Sequence, residues 1–518
     1  MRLFKIITIS LIILTLAVVG LYYSYYRVTQ KSAVVLLYED FVLLDAVGAY
    51  QTASGLMLQN YSIKFVAKNK GRVNSSYMQS LEAANDLSEI SDADILILPG
   101  VENPQSVIAD NDVMAWIKKI DAKTERTLSV GSGNLVLAAT GVLKNKKVAA
   151  PCHDRTALEQ YGVVYTDDNY VRDGKYYTGM GASASIDGVL AMIADLADDE
   201  LSKTTQLFIA YDPQPPVQSG FYDQADSTTR RLADAMAARN TKNNGKTKTI
   251  GLYLYPGFTM LDVSGPYQVF RELESLGYEM KFLSNTKGII QSDFIQSLEA
   301  PYSIDQFDSL DVLFVPGGST TYKILNDIHL IDWVKKIDMT TSYTTSVCTG
   351  SVLLGEAQLL KGRRATSHWY VGPKLDEFGI TYSHERYTKD GKYITGAGVS
   401  SGIDLALYVV KELEGDAVAK AIQLKIGYFP NPPFDAGTPE KSDPKTVSFL
   451  SGMFVNTTDR GTKSGEGAGR TKIAAIDPVC KMTVDNHSDS LVHDGVTYHF
   501  CSALCKEKFA NDPSKYKK

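Results

Sequence analysis

Thr344-Thr-Ser-Val-Cys348-Thr-Gly-Ser-Val-Leu-Leu-Gly-Glu-Ala357 runs from a β-rich stretch directly into a helical one, with Cys348 at the junction and Gly350 two residues on. Working outward, Tyr343 to Val347 reads as a strand and Ile331 to Ile337 as a helix. The run Asp311-Val-Leu-Phe-Val-Pro-Gly-Gly318 is continuously apolar and ends in glycines, as a parallel strand buried on both faces does. Upstream, Thr249 to Tyr255 is strand-like, Leu261 to Ser275 helical, and Glu279 to Ser284 a strand again. Alternating strands and helices predict an α/β fold: a doubly wound, flavodoxin-like parallel sheet with helices on both faces.

The same pattern occurs earlier in the chain. Tyr38-Glu-Asp-Phe-Val-Leu-Leu-Asp45 matches Tyr255-Pro-Gly-Phe-Thr-Met-Leu-Asp262 at an offset of 217 residues. Gln79 to Ala83 repeats as Gln296 to Ala300, Pro99-Gly100 as Pro316-Gly317, and Trp116 as Trp333. Tyr211-x-Pro-x-Pro-Pro216 repeats as Tyr428-x-Pro-x-Pro-Pro433. A constant offset through loops, where insertions normally accumulate, indicates a duplication. The expected organisation is two tandem domains at 32–216 and 249–433, separated by a polar linker at 217–248 whose middle, Asp226 to Arg239, could be helical. A second, Gly/Ser/Thr/Asp-rich segment at 434–472 reads as a flexible linker. A small α+β unit follows at 473–518.

The 518 residues are 44% apolar and 22% charged with a net charge of −6, and no basic half or tail points to nucleic acid. Ile6 to Tyr26 is an uncharged apolar run of bilayer length, preceded by Arg2 and Lys5 and ending in Tyr22, Tyr23, Tyr25 and Tyr26. Residues 1–31 are therefore expected to form a single-pass transmembrane signal anchor, with the body outside the cytoplasm; a cleaved signal peptide is the alternative.

A thiol at a strand-to-helix elbow is exposed at the carboxyl end of the sheet, and the helix N-terminus favours its thiolate. A buried cysteine acting as a small apolar residue is the bland alternative. The elbow together with Leu359-Leu-Lys-Gly-Arg-Arg-Ala-Thr-Ser-His368-Trp369 and Asp262-Val-Ser-Gly-Pro-Tyr267 resembles the ThiJ/PfpI superfamily, also described as class I glutamine-amidotransferase-like. The nearest branch holds isonitrile hydratases and the sensor domains of AraC-type regulators. The resemblance implies Cys348 as nucleophile, Asp262 as its acidic partner, and the backbone N–H groups of Gly318 and Thr349 as an oxyanion hole. Thr349 stands where peptidase-like members have histidine, which argues against a Cys-His dyad. His368 is either a remaining base or a packed structural residue.

The first copy has Gly131 in place of Cys348, Val101 for Gly318 and Pro151 for His368, and keeps Asp45 for Asp262. It reads as a pseudo-domain that partners the second copy within the chain. Ser132, one position late, and the Cys152-His153 pair are its only other candidates for chemistry.

In the last unit Cys480, Cys501 and Cys505 are spaced C-x20-C-x3-C among aromatic residues. Three thiolates suit copper or zinc, and a unit of this size gains stability from a metal staple. A disulfide with one thiol left over is the other reading. The segment resembles the YHS domain, which overlaps the TRASH-type heavy-metal motif; Asp477, His493 or His499 could add a ligand. No cofactor is expected in the α/β domains. The chain therefore reads in two ways. One is a membrane-anchored enzyme that hydrates or hydrolyses a small electrophilic substrate through Cys348. The other is a non-enzymatic ligand or metal sensor.

Overall fold

The computed structural model describes residues 30–219, 221–237, 247–293 and 296–455. Within the last unit it describes 475–476, 478–479, 483–484, 489–494, 496–500, 503–511 and 513–516. The apolar run at 6–26, Cys480 and Cys501 lie outside these residues. Among the described residues no helix is long and apolar enough to cross a membrane.

In the first copy the strands are β1 (Lys31–Leu36), β2 (Tyr61–Ala67), β3 (Ile95–Leu98), β4 (Arg126–Val130), β5 (Tyr170–Asp173) and β6 (Tyr176–Gly179). In the second they are β7 (Lys248–Tyr253), β8 (Tyr278–Ser284), β9 (Val312–Val315), β10 (Tyr343–Val347), β11 (Tyr387–Asp390) and β12 (Tyr393–Gly396). Both sheets have one order, β2-β1-β3-β4-β6-β5 and β8-β7-β9-β10-β12-β11, with a two-residue strand added beside β2 and β8. All pairings among these are parallel except the β5–β6 and β11–β12 edges. Every residue of β3 and β9 is buried, which is why those strands are apolar without alternation. The strand order reverses between β7 and β9, so a crevice opens at their carboxyl ends.

The helices that build the interface and the sites are α1 (Leu43–Ala53), α2 (Asp199–Phe208), α3 (Ser227–Ala237), α4 (Met260–Phe270), α5 (Gly350–Glu356), α6 (Asp416–Lys425), α7 (Pro444–Phe454) and α8 (Ala503–Asn511). Two of them lie in the expected linkers: α3 is the helix expected at Asp226 to Arg239, and α7 corrects the flexible linker at 434–472. α3 lies inside 217–248 and α7 inside 434–472, and they are 11-residue counterparts at the same offset of 217. Each starts at an aspartate cap: Asp226 accepts from Thr228 N–H and Thr229 N–H, and Asp443 from Lys445 N–H. The repeat thus extends at least to Phe454.

These helices cross over. α3, which follows the first copy, packs on α6 of the second, and α7, which follows the second, packs on α2 of the first. Between the copies α1 lies against α4, and the hydrogen bonds across the boundary come in pairs. Gln79 Nε2 donates to Glu299 O (3.0 Å) while Gln296 Nε2 donates to Glu82 O (3.0 Å). Glu299 N–H and Glu82 N–H each return a bond to the glutamine Oε1 at 2.9 Å. Likewise Gln214 N–H reaches Asp404 and Asn431 N–H reaches Asp187. Such mutual exchange is how a two-fold interface is built.

The last unit pairs Asp489–His493 with Val496–Phe500 as a hairpin beside α8. Phe500, Cys505 and Phe509 are buried with Leu207, Phe449 and Leu450, so this unit docks on α7 and the end of α2.

Candidate active site at the second elbow

Cys348 has φ of 56°, a left-handed conformation that costs a non-glycine residue about 1 kcal/mol. Its N–H donates to Gly396 O at 3.0 Å, which ties the elbow to β12. Gly317 has no room for a side chain: a Cβ there would lie 2.7 Å from Cys348 Cβ and 2.6 Å from Thr349 N. Only glycine lets the β9 loop approach the thiol this closely.

Asp262, in the first turn of α4, is fully buried. Its Oδ2 accepts from Gly317 N–H at 2.8 Å. The carboxyl couples to the Cys348 thiol, and its second oxygen, Oδ1, is buried without a completed hydrogen bond. Burial pushes the carboxyl well above the usual range, against the pull of Gly317 N–H. Burial also pushes the Cys348 thiol up, the Asp262 carboxyl adds to it, and Thr349 N–H opposes them. Desolvation thus works against the thiolate expected at the start of α5, and burial favours the neutral form of both groups.

The oxyanion hole needs a second correction. Gly318 N–H is taken by Thr349 Oγ1 at 2.9 Å, and that hydroxyl also bonds Thr321 Oγ1 at 2.6 Å. Thr349 fastens the β9 loop to α5, and its own N–H is directed to the thiol. His368 is 4% exposed and sits in the cavity wall. Its Nδ1 receives Tyr370 N–H at 3.4 Å, and its ring also bonds the Phe208 backbone. Burial holds it neutral, with a pKa lowered to about 4. Its ring packs on Trp369 and edge-on to Phe454.

Cys348, Thr349, Gly318 and His368 line one cavity of about 80 Å³, and Asp262 lies against the thiol. Nine of the thirteen wall residues were missed from sequence, five of which bear on the chemistry or the closure of the cavity. Thr259 donates to Asp293 at 2.5 Å beside the thiol. Gln51 and Phe208 come from the first copy, Gln51 accepting Leu261 N–H at 3.1 Å. Phe454 comes from α7 and stacks on Phe208. The identity of Gln51 with Gln268 at the repeat offset, each a polar residue inside an apolar helix, was the available signal.

The first elbow keeps the frame without the thiol. Gly131 has φ of 55°, and Asp45 accepts from Gly100 N–H at 3.0 Å. Ser132 Oγ accepts from Val101 N–H at 2.9 Å and donates to Val101 O, the fastening role of Thr349. Cys152 is half-buried, and burial among Asp223 and Asp167 pushes its thiol up to about 11.

Residues 31–195 and 248–412 each match the DJ-1/PfpI family. The chain belongs to the DJ-1/PfpI family. Its last unit, 475–518, matches the YHS domain. An isonitrile hydratase from Pseudomonas putida is 35% identical over 198 residues, 38% of this chain and 86% of that protein. The HTH-type transcriptional regulator CdhR of Pseudomonas aeruginosa is 31% identical over 174 residues, 32% of this chain and 51% of that protein. A solved ThiJ/PfpI family protein from Pseudomonas syringae is 30% identical, with 41% of this chain and 90% of that chain covered and a TM-score of 0.39. The two DJ-1/PfpI matches stand at the 217-residue offset and end before α3 and α7. The wall that Phe454 contributes therefore lies outside the matched regions.

Proposed function

We propose that the second DJ-1/PfpI domain hydrates a small electrophilic carbon, with an isonitrile as the substrate class. The observation that carries this reading is a strained cysteine beside a fully buried carboxyl, whose pKa burial pushes up, in a small, mostly apolar cavity. In an isonitrile, R–N≡C, the terminal carbon takes a proton and then a nucleophile. Asp262 gives its proton to that carbon while the Cys348 sulfur bonds to it, and the thiol proton passes to Asp262. The product is a thioimidate, R–N=CH–S–Cys348. Water adds to its C=N bond, the C–S bond breaks, and R–NH–CHO leaves with the thiol restored. Thr259 and Asp293 face the thiol and would hold the attacking water. Peptide mapping after acid quench tests the intermediate. One substrate mass is expected on the Cys348 peptide, absent in Cys348→Ser and reduced more than tenfold in Asp262→Asn. Formamide production with no adduct on that peptide sinks the covalent route.

The likeness to CdhR favours a second reading, in which the cavity only binds its ligand. Stoichiometric binding with no turnover by the wild-type chain would select it.

For the YHS unit we propose a soft metal ion held by Cys480, Cys501 and Cys505. Cys505 is buried, and His499 Nδ1 is a buried ring nitrogen without a hydrogen-bond partner, which fits it as a further ligand. The metal would staple this small unit. The apolar run at 6–26 would tether the chain to a membrane with its body outside the cytoplasm.

A further inference from the structure

The first copy has lost its thiol but not its cavity. Around its elbow lies a space of about 370 Å³, against about 80 Å³ at Cys348. The repeat offset explains the difference residue by residue. Phe454 is replaced by Ala237 and Cys348 by Gly131, which removes bulk, and Phe208 by Lys425, which adds a charge. Val371 becomes Asp154 and Tyr370 becomes His153, which makes the wall polar. Buried polar groups without partners are costly, so a wall of this polarity calls for a polar occupant.

The wall is also unsatisfied. Asp45 Oδ1, Asp154 Oδ2 and Gln268 Oε1 are buried acceptors with no hydrogen-bond partner, on residues 2%, 7% and 6% exposed. Their shared cavity is closed by the second copy, which supplies Gln268, Arg271, Glu272 and Lys425. The two cations are already engaged. Arg271 pairs with Glu102 at 3.1 Å and Glu272 at 3.4 Å, and Lys425 pairs with Glu272. Asp154, Asp167 and Asp234 are left as the surplus; Tyr222 donates to Asp234, and the exposed His153 lies 3.8 Å from Asp154. Asp45 is raised to about 7 by burial, and Asp167 is raised by burial and by Asp223, as carboxylates lacking cationic partners are. Among the described residues of this wall, the buried atoms without a hydrogen bond are those three acceptors and Arg271 Nε, which lies 3.4 Å from Glu272.

We propose that the cavity of the first domain is a binding site for a small organic cation rich in N–H groups, an aliphatic amine or guanidinium compound. Its N–H groups would fill Asp45 Oδ1, Asp154 Oδ2 and Gln268 Oε1, and its charge would offset the carboxylate surplus. The volume lies within the range of small-molecule sites. No bond to the ligand forms or breaks, because the elbow carries Gly131.

Isothermal titration of the full chain with agmatine and with 1,4-diaminobutane tests the proposal. Saturable binding of one equivalent of at least one of them is expected. Asp154→Asn and Gln268→Leu should each weaken it at least tenfold, and Asp262→Asn at the other elbow should leave it unchanged. Ala237→Phe, which restores the bulk of Phe454, should abolish binding without lowering the melting temperature. That variant keeps the test informative if the buried substitutions unfold the chain. Absence of binding by both amines at millimolar concentration overturns the proposal. So does binding that survives Ala237→Phe, or tighter binding of a dicarboxylate such as succinate.

Discussion

At the scale of single residues, Cys348 and Gly131 form a natural comparison. Both occupy the left-handed elbow, with φ of 56° and 55°, yet only glycine does so at no steric cost. Cys348→Gly should relieve that strain while losing a small buried side chain. Its stability by urea denaturation is expected to stay within about 1 kcal/mol of wild type while the covalent adduct disappears. His368 gives a pH prediction. Its folded pKa of about 4 lies below the ordinary 6.5, so the folded chain binds fewer protons between these values. Its contribution is complete above the unfolded value and is lost as pH falls toward 4. Wild type should therefore lose about 3 kcal/mol relative to His368→Gln between pH 7 and pH 4. Comparing the variants removes Asp45 and Asp187, which are raised to about 7 and act oppositely over this range. Cys348, Asp262 and the glycines were legible because each closes a local motif. The fastening role of Thr349 was not, because it depends on a loop 31 residues away.

At the scale of elements, α7 is the part of the site that composition concealed. Its Asp443 cap and polar outer residues read as linker, while Phe449, Leu450 and Phe454 face the molecule. The repeat offset carried the missing signal, since Asp226, Thr229 and Met236 recur as Asp443, Thr446 and Met453. Phe454 stacks on Phe208 and packs edge-on to His368 and Trp369, so it closes one side of the cavity. Phe454→Ala should cost about 2 kcal/mol, below the roughly 3–5 kcal/mol of a fully buried Phe truncation because this ring is only partly buried. It should also raise the rate of iodoacetamide labelling at Cys348 at least tenfold by opening access. Unchanged labelling would show that the thiol is reached by another route. Asp443→Ala should lower stability by about 1 kcal/mol through loss of the cap.

For the whole molecule, duplication makes each site the product of both copies. Gln51 and Phe208 complete the second elbow, and Gln268 and Lys425 the first. The sheets and their order were legible in the 217-residue repeat, but residues separated by nearly 300 positions, such as Gln51 and Cys348, share a cavity only because α1 packs against α4. Arg386 shows how firmly the halves are joined. It pairs with buried Asp404 at 2.8 Å and donates to Ala210 O across the boundary. Arg386→Ala should cost about 3–5 kcal/mol by urea denaturation, because it leaves a buried carboxylate without its cation. The transition should remain single; two resolved transitions would mean that the copies fold independently. The central claim is that Cys348, assisted by Asp262, hydrates a small electrophilic carbon. The most direct measurement is formation of the N-substituted formamide from a short alkyl isonitrile, followed by NMR with wild type, Cys348→Ala and Asp262→Asn. The account predicts multiple turnovers by wild type, none above background with Cys348→Ala, and at least a hundredfold loss with Asp262→Asn. Equal formamide production by wild type and Cys348→Ala would contradict it.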